Sequence, residues 1–369
     1  MRPFTRILLP AISCSQCFAG SGTVYRATWR GETLAVKVLK LPEEPKTENE
    51  ATREALKSKV QEISSDFTKE VEICCDLTHP NLVGLLGYAT EPGLYMMQEL
   101  MEGSSIDQQL YVERWKPTQA QVLKVATDVA RGMAYLHTMF QEPRGSNSRA
   151  RLIDRPVIHR DLKSPNLLFW KNPPPRGQEG DARDLVTKIS DFGLSRDKSL
   201  EADSVAQTAL MTGCGSVLWM APEILQGEKY NEKVDVFSYA MCLVELVHRN
   251  LPWHGSGIGQ QVIPVRLTQG KRPTHQLNKT DPTLKQLIVE CWDQNPSNRP
   301  EFPEIVQRLQ AMRDERGPTR KSTLAHDSIV EEDEDEDEEQ GYSRRQPEPE
   351  PEVGSYSRAV SPSRGGGAE

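Results

Sequence analysis

No run in the 369-residue chain reaches the roughly 18–20 consecutive apolar residues that a bilayer crossing needs. A membrane-spanning helix is therefore not expected. The seven cysteines, at positions 14, 17, 74, 75, 214, 242 and 291, lack any pattern. Their odd number and irregular spacing exclude a disulfide framework and fit a reducing compartment. Cys14 and Cys17 form a CxxC pair, but no second pair or histidine partner stands near it. They read as two small residues at a sheet edge rather than a metal or redox site. The N-terminus has Arg2, Arg6 and the apolar stretch Ile7–Ile12. That stretch is too short, and the basic residues too few, for a signal or transit peptide, so a cytoplasmic location is expected.

A surplus of basic charge is also missing. The chain has 45 Lys+Arg against 53 Asp+Glu. From Gly317 onward there are 6 basic and 14 acidic residues, which leaves the remainder balanced at 39 of each. A neutral body gives no reason to expect nucleic acid as a partner. Residues 317–369 hold an unbroken acidic run, Glu331–Glu339, then Pro-Glu repeats and three consecutive glycines. Such a segment cannot bury a core and is expected to be a disordered tail. It is a candidate surface for a basic partner, or simply a solvated tail.

The body changes character along its length. Val24–Trp29 and Glu32–Val38 read as strands joined by the hairpin signal Arg30-Gly31. Residues 48–77 read as one long helix whose Val60, Ile63, Phe67, Val71 and Cys74 recur at steps of three and four. Two more strands are expected over 81–88 and 94–99. Beyond them, Pro117 opens a helix with Val122, Val125, Val129, Met133 and Leu136 on one face. Val234–Val247 is apolar nearly all round, as a buried helix would be, and 301–312 is a further helix. Residues 141–155 and 171–184 are polar or proline-rich and read as inserted loops.

Four short motifs carry chemistry. His159-Arg160-Asp161-Leu162-Lys163-Ser164-Pro165-Asn166 is followed, after a spacer, by Asp191-Phe192-Gly193 and then Ala221-Pro222-Glu223. Upstream, the strand Leu34-Ala35-Val36-Lys37 supplies a lysine. A carboxylate on a tight loop suits orienting a hydroxyl, and Asp and Asn oxygens suit a hard divalent cation. Each motif alone could be chance, but their order is specific for phosphoryl transfer.

The region from about Cys17 to Met312 resembles a eukaryotic protein kinase domain. Val24-Tyr25-Arg26-Ala27 with Trp29 and Gly31, and Trp219-Met220 before Ala221, are similar to the tyrosine-kinase-like group, whose Raf-like and mixed-lineage members act on Ser and Thr. The resemblance implies an α+β, two-lobed fold: a small β-rich N-lobe (17–99) with one long helix, a hinge (100–105) and a mainly α C-lobe (106–313). Residues 1–16 remain a lead-in in which a first strand is hard to find.

The resemblance also implies roles. ATP and Mg2+, with Mn2+ as a possible substitute, are the expected cofactors, and protein Ser/Thr hydroxyls the expected substrates. Lys37 would contact the α- and β-phosphates, held by an acid from the long helix. Glu70 is the choice and Glu72 the alternative. Asp161 would orient or deprotonate the attacking hydroxyl, and Lys163 would neutralise the transferring phosphate. Asn166 and Asp191 would hold the metal. Ala19, Gly20, Gly22, Val24, Ala35, Gln98, Glu99, Met101 and Leu168 would line the nucleotide. Ser216 would line the hydroxyl pocket, and phosphorylated Thr212 or Thr208 would pair with Arg160. Asp235, and the pair Glu223–Arg299, would be structural. The glycine-rich loop departs from its pattern, because Cys17 and Ala19 replace two of its three glycines and only Gly22 remains. That departure keeps a second function class, a pseudokinase scaffold, beside the Ser/Thr kinase and a dual-specificity kinase. Gln98 sits as a polar gatekeeper before the hinge.

Overall fold

The computed structural model describes residues 15–19, 22–39, 41–42, 50–91, 93–138, 157–174, 182–192, 196–197 and 216–315. A five-stranded antiparallel sheet comes first, in the order β1-β2-β3-β5-β4. Its strands are β1 (Ser15–Ala19), β2 (Gly22–Trp29), β3 (Glu32–Leu39), β4 (Leu85–Ala89) and β5 (Leu94–Glu99). The hairpin between β2 and β3 turns at Arg30 (φ 51°) and Gly31 (φ 82°), both left-handed, which matches the twist of the flanking strands. β1 begins at Ser15, two residues ahead of the boundary expected at 17. Its sequence, SQCFA, has no alternation of apolar and polar residues that would mark it as a strand.

Register sorts the two faces of this sheet. Val24, Lys37 and Met96 lie opposite one another across β2, β3 and β5, as do Arg26, Ala35 and Gln98. Directly opposed residues share a face, so Val24, Ala35, Lys37, Met96 and Gln98 line one side. Ala27, Leu34, Val36 and Met97 form a small separate core on the other. Against the first side packs α1 (Glu50–Asp76), which buries Phe67, Glu70, Val71 and Cys74. No residue of 50–66 is buried, so the expected apolar stripe becomes core only in the second half of the helix.

The second lobe is helical. α2 (Gln119–Thr138) lies against α7 (Phe302–Asp314), and α4 (Lys233–His248) against α6 (Pro282–Cys291). Every residue of α4 from Val234 to Leu246 is buried, as its nearly continuous apolar run requires. Two helices are shorter, α3 (Pro222–Leu225) and α5 (Ile263–Thr268). Two short ribbons follow: β6 (Val157–Ile158) pairs with β9 (Arg196–Asp197), and β7 (Leu167–Phe169) with β8 (Thr187–Ile189). Isolated bridges Leu82↔Ile189 and Ser105↔Leu168 stitch the β7–β8 ribbon to the segments after α1 and β5. The result is the expected β-rich lobe with one long helix and a larger helical lobe. Among the described residues no helix is long and apolar enough to cross a membrane. Cys74, Cys75, Cys242 and Cys291 are free thiols.

Candidate active site

The strand β3 delivers Lys37 to the junction of the lobes with its side chain only 6% exposed. Its Nζ donates to Glu70 Oε1 at 2.9 Å and to Asp191 Oδ1 at 2.9 Å. Burial alone would drive the proton off this amine. The adjoining Asp191 and Glu70 carboxylates outweigh that and raise its affinity for the proton, so Lys37 stays charged. Glu70 reaches it from the buried face of α1, while Glu72, two residues on, faces solvent. The acid chosen by spacing is therefore the one that meets the lysine.

Asp191 follows β8 with a left-handed backbone, φ 63°. The next residue, Phe192, is buried with its ring centroid 5.4 Å from that of His159. This contact links the two motifs that the sequence separates by some thirty residues. Gly193, Thr208 and Thr212 lie outside the described residues, and so does the proposed pairing of a phosphorylated threonine with Arg160. Arg160 itself is buried, with its guanidinium 5.3 Å from the Tyr230 ring centroid.

Asp161, Lys163, Asn166 and Ser216 form the second half of the site. Ser216 Oγ donates to Asp161 Oδ1 at 2.7 Å. Lys163 Nζ lies 2.7 Å from Asp161 Oδ2 and donates to Ser216 Oγ at 2.8 Å. Asn166 Nδ2 donates to the backbone oxygen of Asp161 at 2.8 Å and to its Oδ2 at 3.1 Å. Spending the amide N–H groups on Asp161 turns the Asn166 carbonyl oxygen to the other side of the planar amide. Asn166 and Asp191 thus offer neutral and anionic oxygens, the donor chemistry of a hard divalent cation.

The loop carrying Asp161 is hung from α4. Asp235 accepts from the backbone N–H groups of His159 and Arg160, each at 2.8 Å, and His137 Nε2 lies 2.9 Å away. Full burial pushes the Asp235 carboxyl up. The hydrogen bond and charge of His137, then His159 and the Arg160 amide, outweigh burial and hold it below the usual carboxylate range. Further out, Arg299 grips Glu223 through two bonds of 2.6 and 2.9 Å with its own side chain fully buried.

Leu168 sits on β7, and the shared face of β2, β3 and β5 carries Val24, Ala35 and Gln98. Ala19 pairs with Gly22 as the last pair before the connection between β1 and β2, and Gly20 lies outside the described residues. At the end of β5, Glu99 donates its N–H to Gly84 O at 3.1 Å. Its carboxylate accepts from Gly84 N at 2.7 Å and meets Lys188 of β8 at 2.7 Å through both oxygens. This tie between the end of β5 and the strand before Asp191 was not foreseen from the sequence, and neither was Glu245. That acid, in the middle of α4, is fully buried and accepts from Tyr111, Ser164 and Trp219. One signal was available: an ionisable residue inside an apolar helix needs partners.

The family model for the protein kinase domain matches residues 19–309, and the chain belongs to that family. Three relatives place it further. It is 35% identical over 295 residues to a probable serine/threonine-protein kinase of Dictyostelium discoideum, covering 78% of this chain and 18% of that one. It is 33% identical over 298 residues to the serine/threonine-protein kinase STY46 of Arabidopsis thaliana, covering 80% and 43%. It is 32% identical over 305 residues to the dual specificity protein kinase splA of Dictyostelium discoideum, covering 80% and 11%. The chain spans less than half the length of each of these relatives. The family uses ATP and a divalent metal and acts on proteins.

Proposed function

We propose that this chain transfers the γ-phosphate of ATP to Ser and Thr hydroxyls of proteins, in a domain spanning 17–313 with the tail 317–369 outside it. The observation that carries the reading is the bridge from Lys37 to both Glu70 and Asp191, at 2.9 Å each. It assembles residues from β3, α1 and the segment after β8 in one place, which a domain that only binds partners does not need.

In this reading Lys37 binds the α- and β-phosphates, fixed by Glu70. Asn166 and Asp191 hold Mg2+, or Mn2+ in its place. Magnesium, when bound, neutralises phosphate charge. Asp161 orients the attacking hydroxyl and receives its proton, and Ser216, whose Oγ donates to Asp161, lines the hydroxyl pocket. Lys163 keeps a positive charge beside the phosphoryl acceptor. Val24, Ala35 and Leu168 enclose the adenine, with Ala19, Gly20 and Gly22 over the phosphates. Gln98 narrows the space behind the base, and the backbone of Glu99 and Met101 reads its edge. Lys163 and the names of two of the relatives favour Ser/Thr over dual specificity. A cytoplasmic location, phosphorylation of Thr212 or Thr208, and capture of a basic partner by the acidic tail complete the proposal. Phosphoamino-acid analysis of a generic basic protein after incubation with Mg-ATP tests it. Phosphoserine and phosphothreonine are expected, and phosphotyrosine in equal measure would overturn the Ser/Thr assignment.

A further inference from the structure

Three of the seven histidines meet at the C-terminal end of α4. His248 is the last residue of that helix and is half-buried. The ring of His254, in the loop that follows, has its centroid 6.4 Å away. The ring of His275, in the turn Thr274–Leu277 before α6, has its centroid 6.5 Å away. His254 and His275 are exposed. The proposed phosphotransfer uses none of the three.

The loop Leu251–Gly257 is strained and is held by side chains of that turn. Trp253 is buried with a left-handed backbone, φ 74°, which a bulky residue adopts only when its surroundings impose it. Gln276, itself buried, supplies the constraint. Its Oε1 accepts from Trp253 N at 2.7 Å, and its Nε2 donates to Leu251 O at 2.9 Å. His275 Nε2 donates to His254 O at 2.9 Å, since a carbonyl can only accept. Trp253 Nε1 is buried with no partner among the described residues, so opening the loop gives it water. Three hydrogen bonds to one short turn therefore close the loop, against backbone strain and an unmet donor that both favour release.

We infer that His248, His254 and His275 form a pH-responsive latch, closed while the rings are neutral, in which protonation drives the Leu251–Gly257 loop away from the end of α4. The inference goes beyond the kinase reading and does not depend on it.

The charges around His248 decide the sign. Arg249 follows it in the chain, exposed, with its N–H on Glu245 O. His254 faces it from the loop and His275 from the turn. Glu245, three residues back on α4, turns its carboxylate to Tyr111, Ser164 and Trp219. No carboxylate is among the groups that shift His248. The negative end of the helix favours a cation here. Burial, then His254, His275 and Arg249, outweigh it and hold the His248 pKa below the ordinary histidine value. Protonation does not itself remove the His275 bond, so repulsion between the rings is the force that opens the latch. The turn is anchored by the fully buried Leu277, which leaves the loop as the part that moves. That loop leads into α5, which packs against α3 and the Ser216–Trp219 turn.

Amide hydrogen exchange of the full chain, corrected for intrinsic rates and followed from about pH 7.5 to about 5.5, tests this. The amides of Trp253 and His254 donate to Gln276 Oε1 and Leu251 O, and their protection is expected to fall severalfold over that range. Uptake of one proton by His248 limits the slope to about tenfold per pH unit. His248→Asn does not titrate, and its protection stays level. His275→Gln, at an exposed position, keeps a donor for His254 O and removes one repelling charge, so it shrinks the fall. A second readout is global stability. A histidine whose folded pKa lies below its unfolded value, about 6.5, binds its proton more readily when the chain unfolds. Its stability is complete above about pH 7 and is lost as pH falls below about 6.5. The melting temperature of wild type minus His248→Asn is then level above about pH 7 and drops toward pH 5.5. Flat protection in the wild type, or a fall that His248→Asn retains, would overturn the inference. Should His248→Asn not fold, His275→Gln decides, because a fall equal to that of the wild type contradicts the latch. Neither readout needs phosphate transfer, so the latch and the kinase reading fail separately.

Discussion

Arg160 holds a left-handed backbone, φ 69°, and from that conformation its N–H reaches Asp235 Oδ1 at 2.8 Å. A non-glycine residue pays for such a conformation, and the buried carboxylate that receives both adjacent amides is what holds it there. The loop that presents Asp161 is therefore set from below by a residue more than seventy positions later in the chain.

Replacing Asp235 by Asn puts an NH2 group where one of two backbone N–H groups needs an acceptor. The loss of a buried charge-assisted bond predicts a destabilisation of about 2–3 kcal/mol at pH 7. Because the folded-state carboxyl titrates below its unfolded value, its stabilisation is complete at neutral pH and fades as pH falls below about 4. Thermal melts of both proteins from pH 7 to 3 should show the gap closing toward the acid end. A gap that widens on acidification would contradict the account of Asp235.

The pair Glu223–Arg299 predicts a stability effect without a chemical one. Arg299 is fully buried and also donates to Asp293 O at 2.9 Å and Lys233 O at 3.0 Å. Removing the carboxylate with Glu223→Ala leaves that guanidinium uncompensated, at a cost of about 3–5 kcal/mol. Urea denaturation measures the cost. The fraction that remains folded should bind ATP as the wild type does.

Gly103 predicts sensitivity in the hinge. A Cβ built there would stand 2.3 Å from the backbone oxygen of Lys171, while Gly103 N donates to Phe169 O at 3.0 Å. Backbone cannot give way as a flexible side chain does. Gly103→Ala is expected to destabilise by about 1–3 kcal/mol and to weaken ATP binding by shifting the hinge. Calorimetric titration with ATP would show the shift, and a wild-type affinity would rule it out.

The β1–β2 hairpin, proposed to lie over the phosphates, predicts a gain. Ala19 opposes Gly22 across β1 and β2, and Cys17 opposes Val24. Glycine at 17 and 19 would let the backbone amides approach an anion more closely. The double substitution is expected to lower the KM for ATP, measured in the same transfer assay. A raised KM would show that these side chains help to bind the nucleotide.

Much of the site was legible because its chemistry depends on residue type at fixed spacing. Lys37, Asp161, Asn166 and Asp191 could be read off short motifs, and Glu70 by its distance from His79. What stayed hidden depends on approach in space. Glu99–Lys188 joins residues 89 positions apart. Tyr111–Glu245 joins residues 134 apart, and no local pattern marks either. Short strands escaped for another reason. β6 and β9 have two residues each, too few for any period to show. The helix α6 does carry a signal in its sequence, since Asp281 caps it and Leu284, Leu287, Ile288 and Cys291 repeat at steps of three and four, and the apolar run of α4 masked Glu245, an acid that, like Asp235, it could not carry without partners.

The most direct measurement is transfer of labelled phosphate from Mg-ATP to a generic basic protein by the full chain, with Lys37→Met and Asp161→Asn beside it. The account predicts transfer by the wild type, its loss in Lys37→Met, and a fall of about 10²- to 10⁴-fold in Asp161→Asn without loss of ATP binding. A wild type that binds ATP but transfers nothing, or an Asp161→Asn that transfers as well as wild type, would contradict it.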